Sequence, residues 1–106
     1  MKYLVCGSKG PKLATSEEVV SVLEESVLAG FEYLMKLEKE KKILAGGLPI
    51  GGRAFVFIVE AASNEELDQM LRRIPFWGIL EWEVTALQTF AGREVLERNI
   101  FKELKK

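Results

Sequence analysis

Histidine is missing from the chain altogether, and cysteine occurs once, at Cys6. Without histidine there is no Ser-His-Asp or Cys-His arrangement and no imidazole ligand for a metal. A single thiol excludes a disulfide within the chain and any thiolate zinc site. Catalysis, if there is any, falls to carboxylates, Lys, Arg, Tyr or Cys6, and no metal or cofactor is expected. Charge of one sign is also scarce: the net charge is -1 and the pI about 5.6. Nucleic acid and anionic membrane surfaces are therefore not expected partners. No apolar run approaches the roughly 20 residues that span a bilayer. Residues 1–7 lack the apolar segment and cleavage site of a secretory signal, and with the free thiol this gives a cytoplasmic expectation.

What is present fits one domain over residues 1–106, near the usual size for one hydrophobic core. Lys2 to Gly7 is a short β-favouring run, and Gly7-Ser8-Lys9-Gly10-Pro11 is turn chemistry. This loop is glycine-rich, but it lacks the Gly-Lys-Ser/Thr ending of a phosphate loop. Thr15-Ser16-Glu17-Glu18 forms a capping box, and Val19, Val20, Leu23, Val27, Phe31, Leu34 and Met35 then recur at three- and four-residue steps. That spacing predicts a long helix with these residues on one side, Gly30 allowing close packing, and the charged run Lys36 to Lys42 closing it. Ile43 to Leu48 and Arg53 to Glu60 read as a hairpin through a glycine-rich loop. Ser63-Asn64-Glu65-Glu66 caps a short helix that Ile74-Pro75 stops.

The stretch Phe76 to Leu87 organises the rest. Strand alternation sends Leu80, Trp82, Val84 and Ala86 one way and Ile79, Glu81, Glu83, Thr85 and Leu87 the other. One face is apolar and the other carries paired acids. After Gly92, a tail helix has Leu96, Ile100 and Leu104 on one stripe and needs a docking surface, on its own sheet or on a neighbour. The order β-α-β-β-α-β plus a tail helix predicts an α+β, ferredoxin-like fold with an antiparallel sheet. Its strands are apolar on both faces: Leu4 and Cys6 against Tyr3 and Val5, Val56 and Ile58 against Phe55, Phe57 and Val59. Helices cover one face, so the other is expected to meet a second copy, giving a homodimer or larger homo-oligomer.

The segment Leu71-Arg72-Arg73-Ile74-Pro75-Phe76-Trp77, with Glu81, Glu83, Val84, Thr85 and Leu87 beyond it, resembles the muconolactone isomerase-like proteins of the dimeric α+β barrel group. The hairpin from Gly46-Gly47 to Arg53 and the Ser63-Asn64-Glu65-Glu66-Leu67 helix start are similar as well, so the likeness covers about residues 30 to 90. It implies a barrel-like dimer with a small pocket, between sheet and helices or between subunits. It also implies a proton-transfer isomerase acting on a small organic acid or lactone.

Such a reaction moves a proton next to a carbonyl, which needs a base and a group that stabilises the enolate. Glu81 and Glu83 are the candidate catalytic carboxylates. Tyr3 as donor, Arg53 as a bidentate carboxylate clamp, and Phe55, Phe57 and Trp77 as aromatic walls are the candidate substrate-binding residues. Each has a plainer explanation: charged residues on an edge strand discourage unwanted pairing, Arg53 as a surface residue, Cys6 and Trp82 as core. Three functions remain open on the residues alone. They are a proton-transfer enzyme, a cofactor-independent monooxygenase with an aromatic pocket, and a non-catalytic small-molecule-binding or assembly protein. The resemblance favours the first.

Overall fold

The computed structural model describes residues 1–10 and 15–106. The turn expected over residues 7–11 is described as far as Gly10; its Pro11 lies outside the described residues. Four strands, β1 (Lys2–Ser8), β2 (Ile43–Gly47), β3 (Phe55–Glu60) and β4 (Glu81–Leu87), form one antiparallel sheet in the order β2-β3-β1-β4. This is the ferredoxin-like order expected from the sequence. A one-residue irregularity at Leu44 shifts the β2–β3 register between Ile43 and Ala45.

The first helical stretch is α1 (Ser16–Val22), a π-helical turn (Leu23–Val27) and α2 (Leu28–Lys39) in succession. Thr15 caps it by accepting from the Glu18 amide at 3.2 Å. The apolar steps 19, 23, 27 and 31 are each four residues, and in an α-helix each such step drifts by about 40°. The wide turn takes that drift out and keeps Val19, Leu23, Val27 and Phe31 over the same end of the sheet. Val20 and Met35, expected on that side, are largely exposed, and Met35 borders a small cavity, because a single 3.6-residue period does not run through the stretch. α2 stops where Lys41 takes a left-handed φ of 63° and the Lys42 amide bonds back to Leu37 O at 2.9 Å.

α3 (Asn64–Arg72) starts as predicted, with Ser63 Oγ accepting from the Glu66 amide. Glu66 reaches back to the Ala62 amide at 2.6 Å. The core lies between the helices and one sheet face, where Tyr3, Val5, Phe55, Phe57 and Val59 meet Leu37, Leu67, Met70, Leu71, Ile74 and Phe76. Gly30 is buried against Phe76, and a Cβ there would overlap the ring. After α3, tight turns through Ile74 to Ile79 place Phe76 inside. Ile79 therefore belongs to this turn and not to the acid-bearing strand face, since β4 begins at Glu81.

Pairing assigns the faces of β4. Trp82, Val84 and Ala86 lie opposite Gly7, Val5 and Tyr3 on the helix side; Glu81, Glu83 and Thr85 lie opposite Ser8, Cys6 and Leu4 on the other. Among the described residues, no helix of the chain lies over that outer face, which carries Leu4, Cys6, Val56 and Ile58. The tail helix α4 (Phe90–Lys105) starts three residues earlier than expected, capped by Thr89, which accepts from the Gly92 amide. None of its residues is buried; Phe90, Phe101 and Leu104 are 98%, 62% and 82% exposed, and it does not lie across its own sheet. The radius of gyration is 18.0 Å, against about 13 Å for a compact chain of this length.

Candidate functional site

The sheet does not fill the space beneath the first helical stretch. A cavity of about 300 Å³ opens there, at the end of the sheet where β3 begins and β1 has ended. Its roof is Val19, Val22, Leu23 and Val27; its floor is Phe31, Phe55 and Phe76; Leu48, Gly52 and Arg53 close it from the β2–β3 loop and Gly10, Ile79 and Leu80 from the opposite side. The floor is ordered by ring contacts: Phe55 stacks on Phe76 at 4.5 Å, Phe31 tilts against Phe55 at 5.5 Å, and Phe76 lies parallel to Trp82 at 6.2 Å. The roof has a π-helical turn, a form often found beside functional sites because it widens the helix locally.

Among the described residues, Arg53 is the one charged side chain in this lining. It is an exposed residue, and the rest of the described lining is apolar or glycine. A cavity of this kind suits a small molecule with an apolar body and one anionic group. No group of His, Cys, Asp and Glu that could hold a metal ion occurs among the described residues. No helix among them is long and apolar enough to cross a membrane.

Of the candidate site residues, Arg53 and Phe55 meet in this cavity. Phe57 lies in the core beside it, edge-on to Trp82 at 6.4 Å, and lines a second, smaller cavity. Tyr3 is buried at the other end of β1 and donates to Asn64 Oδ1 at 2.5 Å. Trp77 points away from the cavity: Arg72 lies 4.8 Å over its ring, and its carbonyl accepts from Trp82 Nε1 at 2.7 Å. Glu81 and Glu83 are on the outer sheet face, both exposed, with Glu81 3.6 Å from Lys9 Nζ. Tyr33, outside the cavity lining, is pushed up by burial, with Arg73 lowering and Glu40 raising it; its hydroxyl donates to Met70 O at 2.9 Å. Sequence reasoning did not single out Phe31, Phe76 or the valines and leucine of the roof as site residues. For Val19, Leu23, Val27 and Phe31 the available signal is a four-residue spacing, which predicts one side of a helix and no cavity; Val22 and Phe76 carry no such signal.

No curated protein matches the chain in sequence. Solved structures share its fold, among them the following two. One is a muconolactone isomerase, with a TM-score of 0.67 at 19% identity over 84% of this chain and 90% of that one. The other is a 5-chloro-2-hydroxyhydroquinone dehydrochlorinase from Burkholderia phenoliruptrix, solved with 2,5-dihydroxybenzoquinone, with a TM-score of 0.63 at 20% identity over 87% and 98% of the two chains. The family model described as muconolactone delta-isomerase matches residues 9–92, which hold the described cavity lining, strands β2, β3 and β4 and helices α1, α2 and α3, and the chain therefore belongs to the muconolactone delta-isomerase family.

Proposed function

We propose that the chain takes a small, largely apolar organic acid or lactone into the helix-side cavity and shifts a proton on it. The observation that carries this reading is that Arg53 is, among the described residues, the one charged side chain lining an aromatic-floored, apolar cavity of about 300 Å³. In that setting Arg53 holds a carboxylate in bidentate fashion and offsets the negative charge that builds up as a proton passes from the carbon next to a carbonyl to a solvent water in the open cavity, which returns it at the new position. Phe55 and Phe76 present a flat apolar surface to an unsaturated ring or chain. Family membership supports isomerase chemistry.

A second reading, binding without turnover, is favoured by a specific observation. Glu81 and Glu83 face away from the cavity, and no carboxylate lines it among the described residues. Deuterium uptake from D2O into a panel of unsaturated acids and lactones, followed by proton NMR, separates the two. Uptake that Arg53→Gln abolishes supports the isomerase; tight binding with no uptake supports the binding protein. Uptake lost in Glu81→Gln or Glu83→Gln would return the acid-bearing face to the reaction.

The chain is further proposed to act as a homodimer or larger homo-oligomer, with the outer face of the sheet as the interface. Support comes from Leu4, Cys6, Val56 and Ile58 on that face and from the unburied apolar stripe of α4. A second copy is the surface that the sequence and fold make complementary to both.

A further inference from the structure

Two cavities lie side by side beneath the first helical stretch. The larger, at Arg53, and a second of about 90 Å³ share Phe31, Leu48 and Phe55 as lining. The smaller one continues between α2 and β2, past Leu34 and Ile43, to the backbone of Gly46 and Gly47. Of the two shared rings, Phe55 is fixed: it is buried and stacked on Phe76 at 4.5 Å. Phe31 is different. It is half-buried on the helix and tilted by 51° against Phe55, so a change in its side-chain angle joins or divides the two spaces.

We propose that Phe31 sets the length of the ligand, standing between the two cavities so that a compact acid stops at its ring and an acid with an apolar tail passes it. The inference rests on the reading of Arg53 as the carboxylate clamp. The ligand class that uses both spaces is a monocarboxylate with an unbranched or ring-bearing apolar tail. A second carboxylate at the far end is disfavoured, because the charged residue lining the smaller cavity is Glu38.

The test is calorimetric titration of straight-chain monocarboxylates from butanoate to dodecanoate, with the matching dicarboxylates, against the unaltered protein, Phe31→Leu and Phe31→Trp. Affinity is expected to rise about fourfold per methylene, the ratio that corresponds to the ~0.8 kcal/mol of burying one CH2, and then to level off. Phe31→Leu moves the plateau to longer chains and Phe31→Trp to shorter ones. In every case the dicarboxylate binds more weakly than the monocarboxylate of the same length. A plateau at one chain length in all three proteins overturns the proposal and leaves the Arg53 reading standing. If no carboxylate binds, or if binding is indifferent to Arg53→Gln, the Arg53 reading falls and the proposal with it.

Discussion

Gly30→Ala puts a methyl group where the ring of Phe76 already is, and the outcome follows from what holds that ring. Phe76 is 2% exposed, stacked on Phe55 at 4.5 Å and parallel to Trp82 at 6.2 Å, so it cannot step aside without moving the floor of the cavity. Two effects oppose each other. Alanine in place of glycine favours the helix by about 1 kcal/mol. Overpacking a filled core costs about 1–3 kcal/mol, and a Cβ that overlaps two ring carbons belongs at the upper end. The net expectation is a loss of about 2 kcal/mol, or on the order of 10 °C in Tm for a domain of this size. Gly47→Ala is the control, because a Cβ there meets nothing within 4 Å and its φ is not left-handed; it is expected to be neutral or slightly stabilising. Both are read by urea and thermal unfolding followed by circular dichroism. A Gly30→Ala protein as stable as the unaltered chain, or more so, would refute the packing of α2 on Phe76.

Removing α4 by ending the chain after Gln88 is expected to lower the oligomer mass in light scattering while the sheet's circular dichroism persists. An unchanged mass would take α4 out of the interface. Tyr33 titrates above its ordinary value of 10.0 because burial disfavours the phenolate. The folded state thus keeps its proton where the unfolded chain has lost it, so Tyr33's share of stability is intact below pH about 10 and is lost as pH rises toward the folded value. Tyr33→Phe should flatten that alkaline loss and cost about 1 kcal/mol at neutral pH, through the bond to Met70 O, as measured by denaturant midpoints across pH.

The element order, both helix caps and the alternation of β4 were legible in the sequence because each is a local pattern: a hydroxyl three residues before a glutamate, or a period of two. Period-two reading even placed Glu81 and Glu83 opposite Trp82, which is how they stand. What it could not give was the cavity. The roof and floor come from segments far apart in the chain, and the roof's phase depends on a π-helical turn that a 3.6-residue period does not describe. In the turn after α3, Trp77 drew attention by its size, yet Phe76 is the ring that the chain buries and Trp77 packs under Arg72. Tyr3, equally conspicuous as a donor, spends its hydroxyl on Asn64.

Ligand binding in the helix-side cavity is tested most directly by an amide-shift map by ¹H–¹⁵N NMR during titration with a small unsaturated carboxylic acid. Shifts are expected to group at Leu23, Phe31, Arg53, Phe55, Phe76 and Leu80 and to be lost in Arg53→Gln. Shifts grouped instead at Cys6, Glu81 and Glu83 would contradict binding in that cavity and move the site to the outer face of the sheet.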